Sequence, residues 1–232
     1  MVHRKTSTAA LSARPRKPIA LLTGFDAFGG DARNPSWLAV QALHGKQVAG
    51  HRVVAAQLPT VFDGSLAALR KLLALHRPAL VICVGVAAGR SSLSLERVAI
   101  NVNDARIADN AGAQPIDTAV VPGGPVAYFS SLPIKAMLLA LQAQDVAAEV
   151  SQTAGTFVCN HVFYGLMHLL ATGRGMRNVR GGFVHVPALP EQTSSPVTVA
   201  MPLDATVHGL HVALRCALTS SDDVAHGAGQ IA

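Results

Sequence analysis

Two apolar runs, each ending at a glycine, constrain this fold more than any other feature of the chain. Ile19-Ala20-Leu21-Leu22-Thr23 ends at Gly24, and the run Ala79 to Val84 ends at Gly85. Short continuous apolar runs bounded by turn residues read as strands buried on both faces. Between them, Asn34-Pro35 opens a helix, with Asn34 as N-cap and Pro35 as first helical residue. His51 to Leu58 alternates as a strand, and Asp63 to Leu75 reads as a second helix with Leu66, Leu69 and Leu73 on its inner face. Strand, helix, strand, helix, strand in that order implies parallel pairing through right-handed crossovers. The expected fold class is α/β: a single-domain, open, mostly parallel twisted sheet with helices on both faces, an α/β/α sandwich. Ligands of such sheets sit beyond the carboxyl ends of the strands. The loops after Gly24 and Gly85 are therefore expected to line one crevice.

The second half continues the pattern. Ser94 to Arg106 alternates polar and apolar residues and reads as a strand just past the crevice loop. Val121 to Pro125 reads as a loop. Ser131 is expected to cap a helix running to about Ala143, and Ala147 to Val150 reads as a strand. Arg180 to Val186 is a further strand, and Asp204 to Leu218 a closing amphipathic helix. The domain is expected to span residues 18–218, with disordered tails at 1–17 and 219–232.

Charge and cysteine usage narrow the classes of function. Half the residues are hydrophobic and 14% are charged, which suits a globular chain. The net charge of +6 is concentrated in Arg4, Lys5, Arg14, Arg16 and Lys17, with no acid among the first 17 residues. The remainder is near neutral, and the basic end lacks aromatic residues on which bases could stack, so no nucleic-acid partner is expected. No apolar run reaches membrane-spanning length, so no membrane association is expected. Cys83, Cys159 and Cys216 are odd in number and widely spaced. They form no disulfide framework and suit a reducing cytoplasm.

The chemistry gathers around Gly155 to His168. Gly155 supplies a tight turn, and the following residues read as a helix with Cys159 where turn becomes helix. Unpaired backbone N–H groups and the positive end of the helix dipole favour a thiolate there. His185 sits at the carboxyl end of a later strand, so the topology brings it to the same crevice. A Cys–His pair supplies a nucleophile and a proton carrier. A third polar group is needed to orient the histidine; Glu96 is the choice, with Asp104 and Asp109 as competitors. Phe25 and Phe28 lie on the Gly-rich loop after the first strand. They are either core plugs or the walls of a pocket for something flat and apolar.

Four separate motifs carry a resemblance. They are Thr23-Gly24-Phe25-Asp26-Ala27-Phe28-Gly29-Gly30 with Asn34-Pro35-Ser36-Trp37; Glu96 through Ile107; Cys159-Asn160-His161; and His185-Val186-Pro187 with Leu189-Pro190-Glu191-Gln192. Together they resemble the pyrrolidone-carboxylate peptidase (pyroglutamyl-peptidase I) family, from about Pro18 to Leu218. The resemblance implies a cytoplasmic cysteine exopeptidase that cleaves the amide bond after an N-terminal pyroglutamyl residue through a thioester. It places the catalytic residues at Glu96, Cys159 and His185, the pocket phenylalanines at Phe25 and Phe28, and a site arginine at Arg106. It implies pyroglutamylated peptides as partners, a homotetramer, and no metal or other cofactor. Many relatives carry Gln where this chain has Val86, a departure that removes a polar group from the crevice loop. A non-catalytic binding protein on the same fold and a metal-dependent amidohydrolase are the competing functions.

Overall fold

The computed structural model describes residues 17–192 and 199–229. The basic segment 1–16 and the last three residues lie outside the described residues. The chain runs β1 (Ile19–Phe25), α1 (Pro35–Gln41), β2 (Gln47–Val48), β3 (His51–Leu58), α2 (Phe62–His76) and β4 (Leu80–Val86). It continues through β5 (Leu93–Glu96), β6 (Val98–Ile100), β7 (Ala127–Phe129), α3 (Ile134–Gln142) and β8 (Ala148–Ser151). It closes with α4 (Val158–Thr172), β9 (Arg180–Val186) and α5 (Leu203–Thr219). Seven strands form one sheet in the order β2-β3-β1-β4-β9-β5-β8, and β6 and β7 form a separate ribbon. Pairing is parallel except at β2 against β3 and β5 against β9.

The doubly apolar strands dictate three layers. Ala20 and Leu22 of β1 join Ile82 and Val84 of β4 and Val184 of β9 in a core beneath α1, α3 and α5. Leu21, Val81, Cys83 and Phe183 face the other way, beneath α2 and α4. Helix α1 begins as its sequence requires: Asn34 Oδ1 accepts from the N–H of Ser36, and Pro35 is the first helical residue. Among the described residues no helix is long and apolar enough to cross a membrane.

Three expectations change. The alternating stretch from Ser94 to Arg106 is not one strand. The chain leaves the main sheet at Arg97, whose N–H donates to the Ser151 carbonyl and whose carbonyl accepts from Ser130, and β6 then pairs with β7. Ser131 does not cap α3; its hydroxyl donates to the Gly181 carbonyl and accepts from the Gly181 N–H. The cap comes instead from Asp223, whose carboxylate accepts from the N–H groups of Lys135 and Ala136 at 2.9 to 3.2 Å. The segment after Thr219, expected to be disordered, is thereby held against α3. Arg180 adds to this hold by donating to the carbonyls of Ala217 (2.6 Å) and Ser220 (2.5 Å).

Candidate active site

The carboxyl ends of β4 and β9, with β5 running antiparallel beside β9, bring Glu96 and His185 together. Gly85 of β4 is the register partner of His185 on β9, and Ser94 of β5 pairs His185 from the other side. Two residues on from Ser94, Glu96 turns its side chain to the histidine. Glu96 Oε1 lies 2.7 Å from His185 Nδ1. A carboxylate can only accept, so Nδ1 carries the proton and Nε2 of the neutral ring keeps its lone pair. Both side chains are buried.

Cys159 is the second residue of α4 and half-buried. Its sulfur lies over the backbone of Gly85. A Cβ built on Gly85 would stand 2.8 Å from Cys159 Sγ and 2.9 Å from the Phe183 ring. The missing side chain is what lets the thiol approach the strand carrying the histidine's register partner. The turn before α4 uses Gly155 at φ +74°, a left-handed conformation that glycine adopts at no steric cost. Phe157, the N-cap of α4, makes no side-chain cap bond. The first N–H groups of the helix lack intrahelical acceptors by geometry, so they are left for a ligand.

The electrostatics correct one expectation. The helix start was expected to favour the thiolate, yet the Cys159 thiol is pushed up to about 12. Burial is the main cause; the Glu96 and Cys83 side chains add to it, and Arg90 opposes it. Burial thus works against the thiolate that the helix start favours.

Two chains of aromatic rings run through this part of the molecule. Phe25, Phe183 and His185 follow one another, with centroids 6.5 and 4.8 Å apart. Phe28 meets Phe157 at 5.4 Å, Phe157 meets Phe62 at 5.3 Å, and Phe62 meets His161 at 5.3 Å. Phe25 is 3% exposed and belongs to the core, so it is the core plug of the two alternatives, whereas Phe28 is half-buried and keeps open surface. Val86 packs toward the α1 core rather than onto the Gly85 side.

The competing acids are not beside the histidine. Asp109 binds backbone: Oδ2 accepts from Phe62, and Oδ1 from Ala111 and Ala113. Burial works to raise its carboxyl, but these N–H groups and that of Gly112 outweigh it and hold the carboxyl below its ordinary value. Asp104 is exposed, and its backbone meets Thr156 just ahead of α4. Arg106, on the same segment, is exposed and has no hydrogen-bond partner among the described residues.

Sequence reasoning missed two residues. Arg90 Nη1 lies 2.8 Å from Glu96 Oε1. Asn160, beside Cys159 and fully buried, accepts from the Ile100 N–H and donates to the carbonyls of Ile100 and Val102, fixing β6 to α4. An asparagine in the first turn of a heavily apolar helix was the available signal, because a buried amide must find partners. A surface depression lined by Lys17, Arg52, Leu75 and Arg77 lies at the opposite ends of the strands and contains none of these groups.

The Glu96–His185 pair, with the Cys159 thiol over the neighbouring Gly85, is a candidate site of the cysteine-type hydrolase class. The comparisons with known proteins give the family. A pyroglutamyl peptidase family model matches residues 19–220, and the chain belongs to that family. The pyrrolidone-carboxylate peptidase of Cupriavidus taiwanensis is 56% identical over 215 residues, 92% of this chain and 99% of that protein. Among solved structures, pyroglutamyl peptidase I from Bacillus amyloliquefaciens superposes with a TM-score of 0.88 at 46% identity, covering 91% of this chain and all of that one. Pyrrolidone carboxyl peptidase from Thermococcus litoralis gives 0.86 at 31% identity, covering 90% and 99%.

Proposed function

We propose that Cys159, His185 and Glu96 carry out the family reaction in this chain, hydrolysis of the amide bond after an N-terminal pyroglutamyl residue. The observation that carries the reading is the 2.7 Å contact between His185 Nδ1 and Glu96 Oε1 in the cleft that holds the Cys159 sulfur. His185 Nε2 takes the Sγ proton as the sulfur attacks the pyroglutamyl carbonyl carbon. The developing oxyanion is met by the free N–H groups at the start of α4. The C–N bond then breaks, His185 returns the proton to the leaving amine, and a thioester remains. A water molecule, deprotonated by His185, cleaves the thioester, and the proton returns to sulfur. Every proton is carried by Cys159, His185 or water, so the sequence of steps needs no metal or other cofactor.

The Phe28 ring suits the substrate. Pyroglutamate is a small, flat, uncharged lactam, and the open surface of Phe28 can bury one face of it, at roughly 1.5–3 kcal/mol for a well-buried group of that size, with Phe25 held in the core. A free amino terminus would bring an unpaired ammonium into an apolar slot and is rejected on that ground. Arg106 takes a supporting position on the segment that meets Thr156. The chain acts in the cytoplasm as a homotetramer, and the exposed Val126 (87%) and Phe129 (71%) beside the β6–β7 ribbon provide apolar surface for such an assembly.

The test is release of a chromophore from a pyroglutamyl amide by wild type, Cys159→Ala and Cys159→Ser. Turnover in wild type is expected to fall by at least four orders of magnitude in both variants. Turnover surviving in Cys159→Ala would overturn the thiol mechanism.

A further inference from the structure

We infer that Arg90 is a positioning residue for this reaction, its guanidinium holding the buried Glu96 as the charged partner of His185 and thereby setting the lower pH limit of activity. The inference rests on the roles given above to Cys159, His185 and Glu96. Glu96 has no exposed side-chain surface, and a carboxylate in such a place needs a cation. Arg90 meets that need from the loop after β4. Its Nη1 donates to Glu96 Oε1 at 2.8 Å and to Ser151 Oγ at 3.3 Å, and its Nη2 donates to the Thr153 carbonyl at 3.2 Å. The guanidinium is thus pinned to the ends of β5 and β8 and to the segment leading into the Gly155 turn.

One oxygen carries both contacts. Glu96 Oε1 accepts from Arg90 and from His185, while Oε2 is buried without a hydrogen-bond partner among the described residues. The strength of the histidine contact is therefore tied to the arginine. Among the described residues the other titratable groups coupled to Glu96 are His185 from β9 and Cys159 from α4. Arg97, next in the chain, turns out to Gln152, and Glu149 on β8 accepts from Ser94. Arg90 is accordingly the one guanidinium on this carboxylate among the described residues. It also opposes the effect of Glu96 on the Cys159 thiol. Taking a positive charge out of this cluster makes each of its protons harder to lose, so activity should begin at higher pH.

The experiment compares wild type, Arg90→Gln and Arg90→Lys in two profiles from pH 5 to 9. One is kcat/KM on a pyroglutamyl amide; the other is the rate of inactivation by iodoacetamide, which reports how readily Cys159 gives up its proton to the neighbouring base. Arg90→Gln is expected to lose at least tenfold in kcat/KM at pH 6 and to move the acidic limb of both profiles up by about one pH unit. Arg90→Lys keeps the charge but not the three-point fork. Its acidic limb is expected to stay at the wild-type pH while kcat falls. This variant decides the matter by itself if Arg90→Gln melts below the assay temperature. An equal loss at every pH in Arg90→Gln, with neither limb moved, would reduce Arg90 to a structural role and overturn the inference, as would a shifted limb in Arg90→Lys. Cys159→Ala run alongside separates the two levels: if it retains turnover, the reading of the thiol fails first.

Discussion

At Gly85 the reaction depends on an absent side chain. A methyl group there would meet the Cys159 sulfur at 2.8 Å and the Phe183 ring at 2.9 Å, so one of them must move. Gly85→Ala is expected to lower kcat about a hundredfold, the scale of an ångström-sized misplacement, while thermal melting shows the fold retained. His161 carries a different consequence. It is buried beside Phe62 with Nδ1 on Asn103 and Nε2 unpartnered, and burial lowers its pKa from 6.5 to about 4. The unfolded chain therefore binds a proton that the folded chain refuses between those values. Stability should fall as pH drops from about 6.5 to 4, by on the order of 3 kcal/mol, and His161→Gln should remove that part of the slope. Urea unfolding at pH 7 and pH 4.5 measures it. His185 was placed in the crevice because it ends a strand, whereas Glu96 stood beside Asp104 and Asp109 until the family resemblance singled it out, since its strand runs antiparallel to β9. Arg90 was not legible in the sequence, because an arginine in a small-residue loop has the pattern of a surface charge, and only the fold shows which carboxylate it reaches.

Elements read well where local chemistry decided them and poorly where a distant residue did. Asn34 caps α1 from the adjacent position, as its type demands. Helix α3 has Pro133 at its N-cap with no side-chain cap bond, and Asp223 supplies the missing acceptor from 87 or 88 residues away. No local pattern announces that partner. Asp223→Ala is expected to cost about 1 kcal/mol, the usual worth of an N-cap, and to lower Tm by roughly 2–4 °C for a domain of this size. Kinetic constants should not change, since α3 packs on the face away from Cys159. The division of the Ser94 to Arg106 stretch has a similar origin. Its alternation is continuous, but the long-range bonds of Arg97 to Ser151 and Ser130 divide it between two sheets.

Across the whole molecule, the three-layer plan followed from the doubly apolar strands. The place of β9 did not: the strand formed latest along the chain stands between β4 and β5. Until residues 180–186 exist, the strands form two sets, β2-β3-β1-β4 and β5-β8, with no strand hydrogen-bonded between them. The same strand delivers His185, so a chain still emerging from the ribosome already carries the candidate thiol but not the candidate base. A copy that ends early, or is broken before Arg180, is in the same condition. On the proposed roles, competence to cut arrives only once β9, late in the chain, has taken its place in the sheet.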